Sequence, residues 1–240
     1  MGESPLQRRL VAELLGSAFL AAVVIGSGIA AQRLSRSDVG LQLFENAAAT
    51  AAGLFAIILM FGRVSGGHFI PVVSLVDAVF GGLSWLDAAA YIPAQVVGCV
   101  IGAVAANGMF ARSLVSISTH DRASASHALS EVIATLGLLL VIFALARSDR
   151  QASAPAAVGA YIGAAYFFTS STSFANPAIT VGRMFSNSFA GIAPASTPVF
   201  IGAQLVGAVI AVGVLRYLYP KTALSAANVV VRRDAAEGSA

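Results

Sequence analysis

The sequence predicts an all-α membrane protein of six transmembrane helices plus two re-entrant half-helices, arranged as an inverted 3+3 repeat. Three observations carry that prediction. First, 58% of the 240 residues are hydrophobic and 10% charged, with a mean hydropathy of +0.84, too little polar surface for a soluble domain of this size. Second, six apolar runs, at 10–31, 41–62, 86–110, 128–146, 154–169 and 197–219, come near the ~20 residues that a hydrocarbon core requires. Third, a set of polar features recurs at nearly constant separation in the two halves of the chain.

The first run follows Arg8 and Arg9 and ends near Gly28-Ile29-Ala30-Ala31, which looks like a cleavage site, but its apolar stretch is too long for a signal peptide and reads as a span. Glu13 lies one turn into it, as Glu131 lies one turn into the fourth run. After the second run, Gly67-His68-Phe69-Ile70-Pro71-Val72-Val73-Ser74 forms the first re-entrant candidate. The third run holds Cys99, the single cysteine, so no internal disulfide forms and a small buried hydrophobe is the expected reading. After the fifth run comes Ser173-Phe174-Ala175-Asn176-Pro177-Ala178-Ile179-Thr180-Val181-Gly182-Arg183. Asn176 is a favoured N-cap and Pro177 suits the first helical position, so a helix starts there. Roughly ten residues on, Ser186-Asn187-Ser188 and Gly191-Ile192-Ala193-Pro194 break it, giving ~15 Å, about half a bilayer core.

Ile70 stands opposite Asn176 at a separation of 106 positions, Gln95 opposite Gln204 at 109, and Glu13 opposite Glu131 at 118. These anchors define one domain over 1–220, with repeats at about 10–110 and 128–219, and a tail at 221–240. Three spans per repeat is an odd number, so the second copy enters from the opposite side of the membrane. The two half-helices then meet tip to tip at the midplane, their positive ends turned inward. The extended stretches before them, Gly66, Gly67, His68 and Phe69, and Thr172, Ser173, Phe174 and Ala175, leave carbonyls without helical partners. Such backbone survives at membrane depth only where it is buried or lines a wet path, so these carbonyls are expected to form the acceptor ladder of a pore. Small residues, among them Gly98, Gly102, Gly159, Gly163 and Gly207, permit close helix packing. The loops at 32–40 and 111–127 read as short and polar.

Orientation follows the positive charges. With a cytoplasmic N-terminus, nine lie inside (Arg8, Arg9, Arg63, Arg147, Arg150, Arg216, Lys221, Arg232, Arg233) and five outside (Arg33, Arg36, Arg112, Arg122, Arg183), so both termini are expected in the cytoplasm. No basic patch is interleaved with aromatics, which leaves no nucleic-acid partner. No nucleophile–base pair, metal-ligand spacing or phosphate-binding glycine loop is present, so neither an enzyme nor a metal or cofactor is expected.

The six spans, the paired half-helices, Ser65-Gly66-Gly67-His68-Phe69, Asn176-Pro177-Ala178 and the repeated glutamates resemble the aquaporin and aquaglyceroporin (major intrinsic protein) family, from about Leu10 to Pro220. The resemblance implies a right-handed bundle, a homotetramer with one pore per subunit in the cell membrane, and passive transport of water or small uncharged solutes. Two departures stand out. Both half-helices of the family start Asn-Pro-Ala, whereas the first here reads Ile70-Pro71-Val72. Isoleucine neither caps nor donates a hydrogen bond, so slower water passage, a distorted half-helix, or both are expected. The family's filter arginine, three residues after the second asparagine, is here Ile179.

Aligned on these motifs, the other constriction positions fall at Thr50, Ala164 and Ser173. Water-selective members resemble Phe/His/small/Arg at this set, and glycerol channels carry two aromatics with Arg. The set Thr50, Ala164, Ser173 and Ile179 implies a wide, less polar constriction. Together with Thr180 and the stretch 189–196, it looks like bacterial channels associated with arsenic detoxification, which implies passage of arsenite, antimonite, glycerol-like polyols and water. Arg183, one turn beyond Ile179, is the candidate charge at the outer mouth, with capping of half-helix carbonyls as its structural alternative.

Glu13 and Glu131 are costly at membrane depth, and their symmetry points to the structural task of accepting N–H groups from the re-entrant loops. His68 reads either as a group at the pore's inner mouth or as a hydrogen-bonded packing residue. Tyr161, Tyr166, Phe167 and Phe168 read as packing and interfacial residues. Two further readings remain: a water-selective channel, and a secondary transporter, which shares inverted repeats and broken helices but normally needs ionisable groups at the midplane.

Overall fold

The computed structural model describes residues 4–220, so the tail expected at 221–240 lies outside the described residues. Among the described residues the regular structure is all helical. Five long apolar helices are α1 (Leu6–Leu34), α2 (Val39–Ser65), α4 (Trp85–Met109), α5 (Ala125–Arg147) and α8 (Thr197–Leu218), of 29, 27, 25, 23 and 22 residues. The sixth, α6 (Ala154–Phe168), has 15 residues and is preceded by a 3-10 turn at Gln151–Ser153. At 1.5 Å per residue α6 alone spans ~22 Å, so it is the short member of the bundle. The half-helices are α3 (Pro71–Phe80), of ten residues, and α7 (Pro177–Arg183), of seven and thus shorter than the sequence suggested. The chain is a multi-pass membrane protein.

Local chemistry explains the boundaries. Asp38, Ser84 and Ser124 cap α2, α4 and α5 by accepting from the N–H three residues on, at 2.9, 3.0 and 3.1 Å. The α3 helix stops at Gly81, whose φ of 82° glycine adopts without strain. Ile70 leaves α3 without a side-chain cap, yet the helix is regular over its ten residues, held at its start by Pro71. The expected distortion is therefore absent, and the consequence of Ile70 falls on the wall it faces.

The repeat is visible in the packing. A Cβ on Gly98 would come within 2.3 Å of the Leu14 carbonyl, and one on Gly207 within 2.6 Å of the Val132 carbonyl. In each half, then, the third span lies against the first so closely that only glycine fits. The apolar core, with Leu20, Val24, Leu54, Leu138 and Ile162, fills the space around the half-helix tips.

Candidate functional site

The re-entrant loops hang from two buried carboxylates. Glu13 accepts from the Ser65 hydroxyl (2.6 Å), the His68 and Phe69 N–H groups (3.1 and 2.7 Å) and Gln95 Nε2 (2.8 Å). Glu131 accepts from the Ser171 hydroxyl (2.6 Å), the Phe174 and Ala175 N–H groups (both 2.9 Å) and Gln204 Nε2 (2.7 Å). Gln95 donates also to Ser74 Oγ (3.0 Å) and Gln204 to Thr180 Oγ1 (3.1 Å), tying each half-helix to the last span of its repeat. Four donors around each carboxylate compensate its burial and supply the partners that the loop backbone cannot find in lipid. Neither glutamate lines the central cavity.

Held this way, the loops turn through left-handed backbone at matching positions. Values of φ are 94° and 63° at Gly66 and Thr172, 67° and 50° at Gly67 and Ser173, and 53° and 45° at Phe69 and Ala175. Side chains rarely tolerate this region, so the second loop, with three non-glycine residues there, is the more strained and the more dependent on its glutamate.

Asn176 joins the two tips. Its Oδ1 accepts from the Ala178 and Ile179 N–H groups at 2.9 and 3.2 Å, capping α7, and its Nδ2 donates to the Phe69 carbonyl of the opposite loop at 3.1 Å. Ile70 has no group with which to return that bond. Pro71, Val72, Pro177 and Ala178 are buried behind the tips.

From the tips a cavity of about 30 Å³ runs toward the loop after α7. At roughly 10–15 Å³ per molecule it has room for about two waters. Its lining includes the aliphatic side chains of Leu20, Val24, Leu54, Ile70, Leu138, Ile162 and Ile179 and the ring of Phe174. Its polar members are Thr50, Tyr166, Ser173, Asn176 and Arg183. The Tyr166 and Thr50 hydroxyls are 3.1 Å apart, whereas Ser173 Oγ is buried without a hydrogen-bond partner. Arg183 is only 2% exposed; its Nε donates to the Ala190 carbonyl, and its guanidinium carbon lies 3.3 Å from the centre of the Phe174 ring.

Two expectations need correction. Ala164 is exposed on the outer face of α6 and does not line the cavity; Ile162 and Tyr166, one turn apart, share the inner face. Tyr166 is accordingly a cavity residue as well as a packing one. The constriction, expected to be less polar from its four residues, also carries Tyr166, Phe174 and Arg183 in its lining. Arg183 enters it because α7 ends there and the side chain folds back over Phe174. Thr50, Ser173 and Ile179 do line the cavity. His68 does not: its Nδ1 is 3.0 Å from Ser74 Oγ, its Nε2 is 3.5 Å from Asp77 Oδ2, and its ring packs edge-on against Tyr91. No sequence signal marks the inward face of Tyr166, because α6 is apolar on every side.

A multi-pass helical protein whose broken helices meet at a central cavity has the architecture of membrane channels and transporters. Residues 2–175 match the model of the major intrinsic protein family. The chain is 44% identical over 237 residues to aquaglyceroporin AqpS of Rhizobium meliloti (strain 1021), covering 99% of each chain. It shares 32% identity over 174 residues with aquaporin-9 of Homo sapiens, 64% of this chain and 58% of that protein. The solved aquaglyceroporin from Plasmodium falciparum shares its fold, with a TM-score of 0.67 at 20% identity over 88% of this chain and 96% of that one. The chain belongs to the major intrinsic protein family.

Proposed function

We propose that this protein is a passive channel for water and small neutral solutes, of the class of glycerol-like polyols, arsenite and antimonite, working in the cell membrane as a homotetramer with both termini cytoplasmic. The observation that carries the reading is a cavity lining that combines hydroxyl, amide and guanidinium groups with aliphatic side chains. A polyol, or the trihydroxy species As(OH)3, carries hydroxyls around a less polar body, which suits donors and acceptors at Thr50, Tyr166 and Ser173 and donors at Arg183 among aliphatic side chains. The aquaglyceroporin relative, similar over the whole chain, supports the same class. The carbonyls of 66–69 and 172–175 act in this reading as the acceptor ladder, and Arg183 as the fixed charge that opposes cations in a low-dielectric passage.

A water-selective channel is the second reading. It is favoured by the cavity's small volume and by the Tyr166 and Arg183 side chains that narrow it. Stopped-flow light scattering on proteoliposomes separates the two by comparing water with glycerol and arsenite flux, for the natural chain and for Ile179→Arg. Solute flux that falls when the second arginine is added supports the polyol channel. Water flux with no solute flux supports the water channel, and saturable, gradient-coupled uptake would refute both in favour of a transporter.

A further inference from the structure

We propose that Arg122, from the segment joining the two repeats, is a positioning residue that sets where the Arg183 guanidinium stands in the constriction. The inference rests on the reading of Arg183 as the constriction charge and concerns what holds it there.

Three consecutive carbonyls in the loop after α7 are shared between the two arginines. Arg122 donates from Nε to the Gly191 carbonyl at 2.8 Å and from a terminal nitrogen to the Phe189 carbonyl at 3.1 Å. The carbonyl between them, that of Ala190, accepts from Arg183 Nε. The guanidinium fork of Arg122 therefore fixes the turn that presents the acceptor for Arg183. Arg122 is itself anchored: its N–H donates to Ser196 Oγ at 2.9 Å, and that hydroxyl donates to Asp121 at 2.6 Å. The turn has no slack. A Cβ on Gly191 would lie 2.4 Å from Ser118 Oγ and 2.5 Å from the Ser186 carbonyl, and one on Gly28 of α1 would lie 3.1 Å from the Ala190 Cβ.

Both guanidinium groups also share the Phe174 ring, Arg183 at 3.3 Å and Arg122 at 5.4 Å from its centre. The ring face attracts each cation, while the two cations repel one another. Among the described residues neither has a carboxylate partner within 4.0 Å that would damp this repulsion. Burial lowers the proton affinity of Arg122 below the usual range for a guanidinium, yet it stays charged at neutral pH. With Arg122 occupying the outer side of the loop, Arg183 is held toward the cavity that it lines.

The test is a double-mutant cycle in proteoliposomes with Arg122→Gln, Arg183→Ala and the pair, reading the glycerol-to-water flux ratio and potassium leak per inserted tetramer. Arg122→Gln should move both readouts in the direction of Arg183→Ala, by about twofold or more, and the pair should equal Arg183→Ala alone, because groups sharing one network are not additive. Arg122→Lys keeps the charge but cannot span both carbonyls, so it should behave as Arg122→Gln; it carries the test if Arg122→Gln fails to insert. Effects that multiply in the pair, or Arg122 variants that lose thermal stability with selectivity unchanged, would overturn the positioning role while leaving Arg183 in place. An Arg183→Ala channel with unchanged selectivity and leak would overturn both readings.

Discussion

Replacing Ile70 by asparagine should raise water flux. Ile70 lies in the cavity wall at the tip opposite Asn176, whose amide spends one N–H on the Phe69 carbonyl and has the other for a passing molecule. In Ile70→Asn the new Oδ1 would cap the N–H groups of Val72 and Val73, as Asn176 caps those of Ala178 and Ile179, and the new amide would reach toward the Ala175 carbonyl. One N–H would remain for the pore. A single net hydrogen bond is worth about 0.5–1.5 kcal/mol, and if it is made where water is least solvated it accelerates passage about 2- to 12-fold. Stability should fall by about 0.5–2 kcal/mol, because a cap worth about 1 kcal/mol offsets only part of the roughly 1.5–3 kcal/mol of isoleucine burial lost. Stopped-flow shrinkage of proteoliposomes, normalised to inserted protein, measures the effect. Unchanged water flux in a normally inserted variant would show that the barrier lies elsewhere, at Tyr166 and Arg183, and would refute the argument.

Glu131→Gln replaces one carboxylate oxygen by an amide nitrogen, so the backbone N–H of Phe174 or of Ala175 loses its acceptor, at about 1–3 kcal/mol. A clear fall in the melting temperature of the detergent-solubilised protein is expected, and an unchanged melt would refute the scaffold role of the carboxylate. Organomercurials should leave water flux unaffected, since Cys99 is fully buried and the cavity presents Ser173 instead; Ser173→Cys should make the channel mercury-sensitive, and a Ser173→Cys channel that stays insensitive would remove Ser173 from the path. His120, in the segment joining the repeats, has its pKa lowered, first by burial and then by Arg122. A base that binds protons less readily when folded favours the folded loop at neutral pH and loses that contribution as pH falls below the ordinary imidazole range. Arg122→Gln should therefore shift the His120 titration, followed by NMR, back upward.

Much of the fold was legible because it is written in strong local chemistry. Asn176-Pro177 is both a cap and a helix start, and the paired glutamates and glutamines mark the same positions in each repeat. The inner face of α6 was not legible, because that helix is apolar on every side and hydropathy cannot separate lipid from core. Ala164 came from alignment on the family's motifs, whereas the actual rotation is fixed by contact with α2, where a Cβ on Gly159 would come within 2.7 Å of the Ala51 carbonyl. The direction of the Arg183 side chain was hidden for a different reason: it depends on the turn at 189–191, and that turn depends on a segment that read only as a polar loop. In the structure this segment is bonded to the end of α7 and the loop after it, with Ser118 N–H donating to the Met184 carbonyl at 2.8 Å and Ala193 N–H to the His120 carbonyl at 2.7 Å. Loop pairings of this kind have no periodicity for a sequence to display.

What the two halves share and what they do not have different consequences. Carboxylate, loop conformation and glutamine brace are duplicated, and they fix the geometry of both tips. The differences fall on side chains that this geometry aims at the same places. Asp77 and Arg183 are 106 positions apart, as are His68 and Phe174. In the first half the carboxylate lies 3.5 Å from an imidazole, away from the central cavity; in the second a guanidinium lies on a phenyl ring and lines that cavity. One duplicated frame thus carries a sequestered pair on one side of the membrane midplane and a positive charge on the other. A cation approaching from the Arg183 side would meet that charge first and the positive ends of the half-helices behind it, whereas a neutral hydroxylated solute would find donors and acceptors and be repelled by neither. The shared frame already opposes cations through the positive ends of its half-helices, and the asymmetry between the repeats adds a buried guanidinium on one side only.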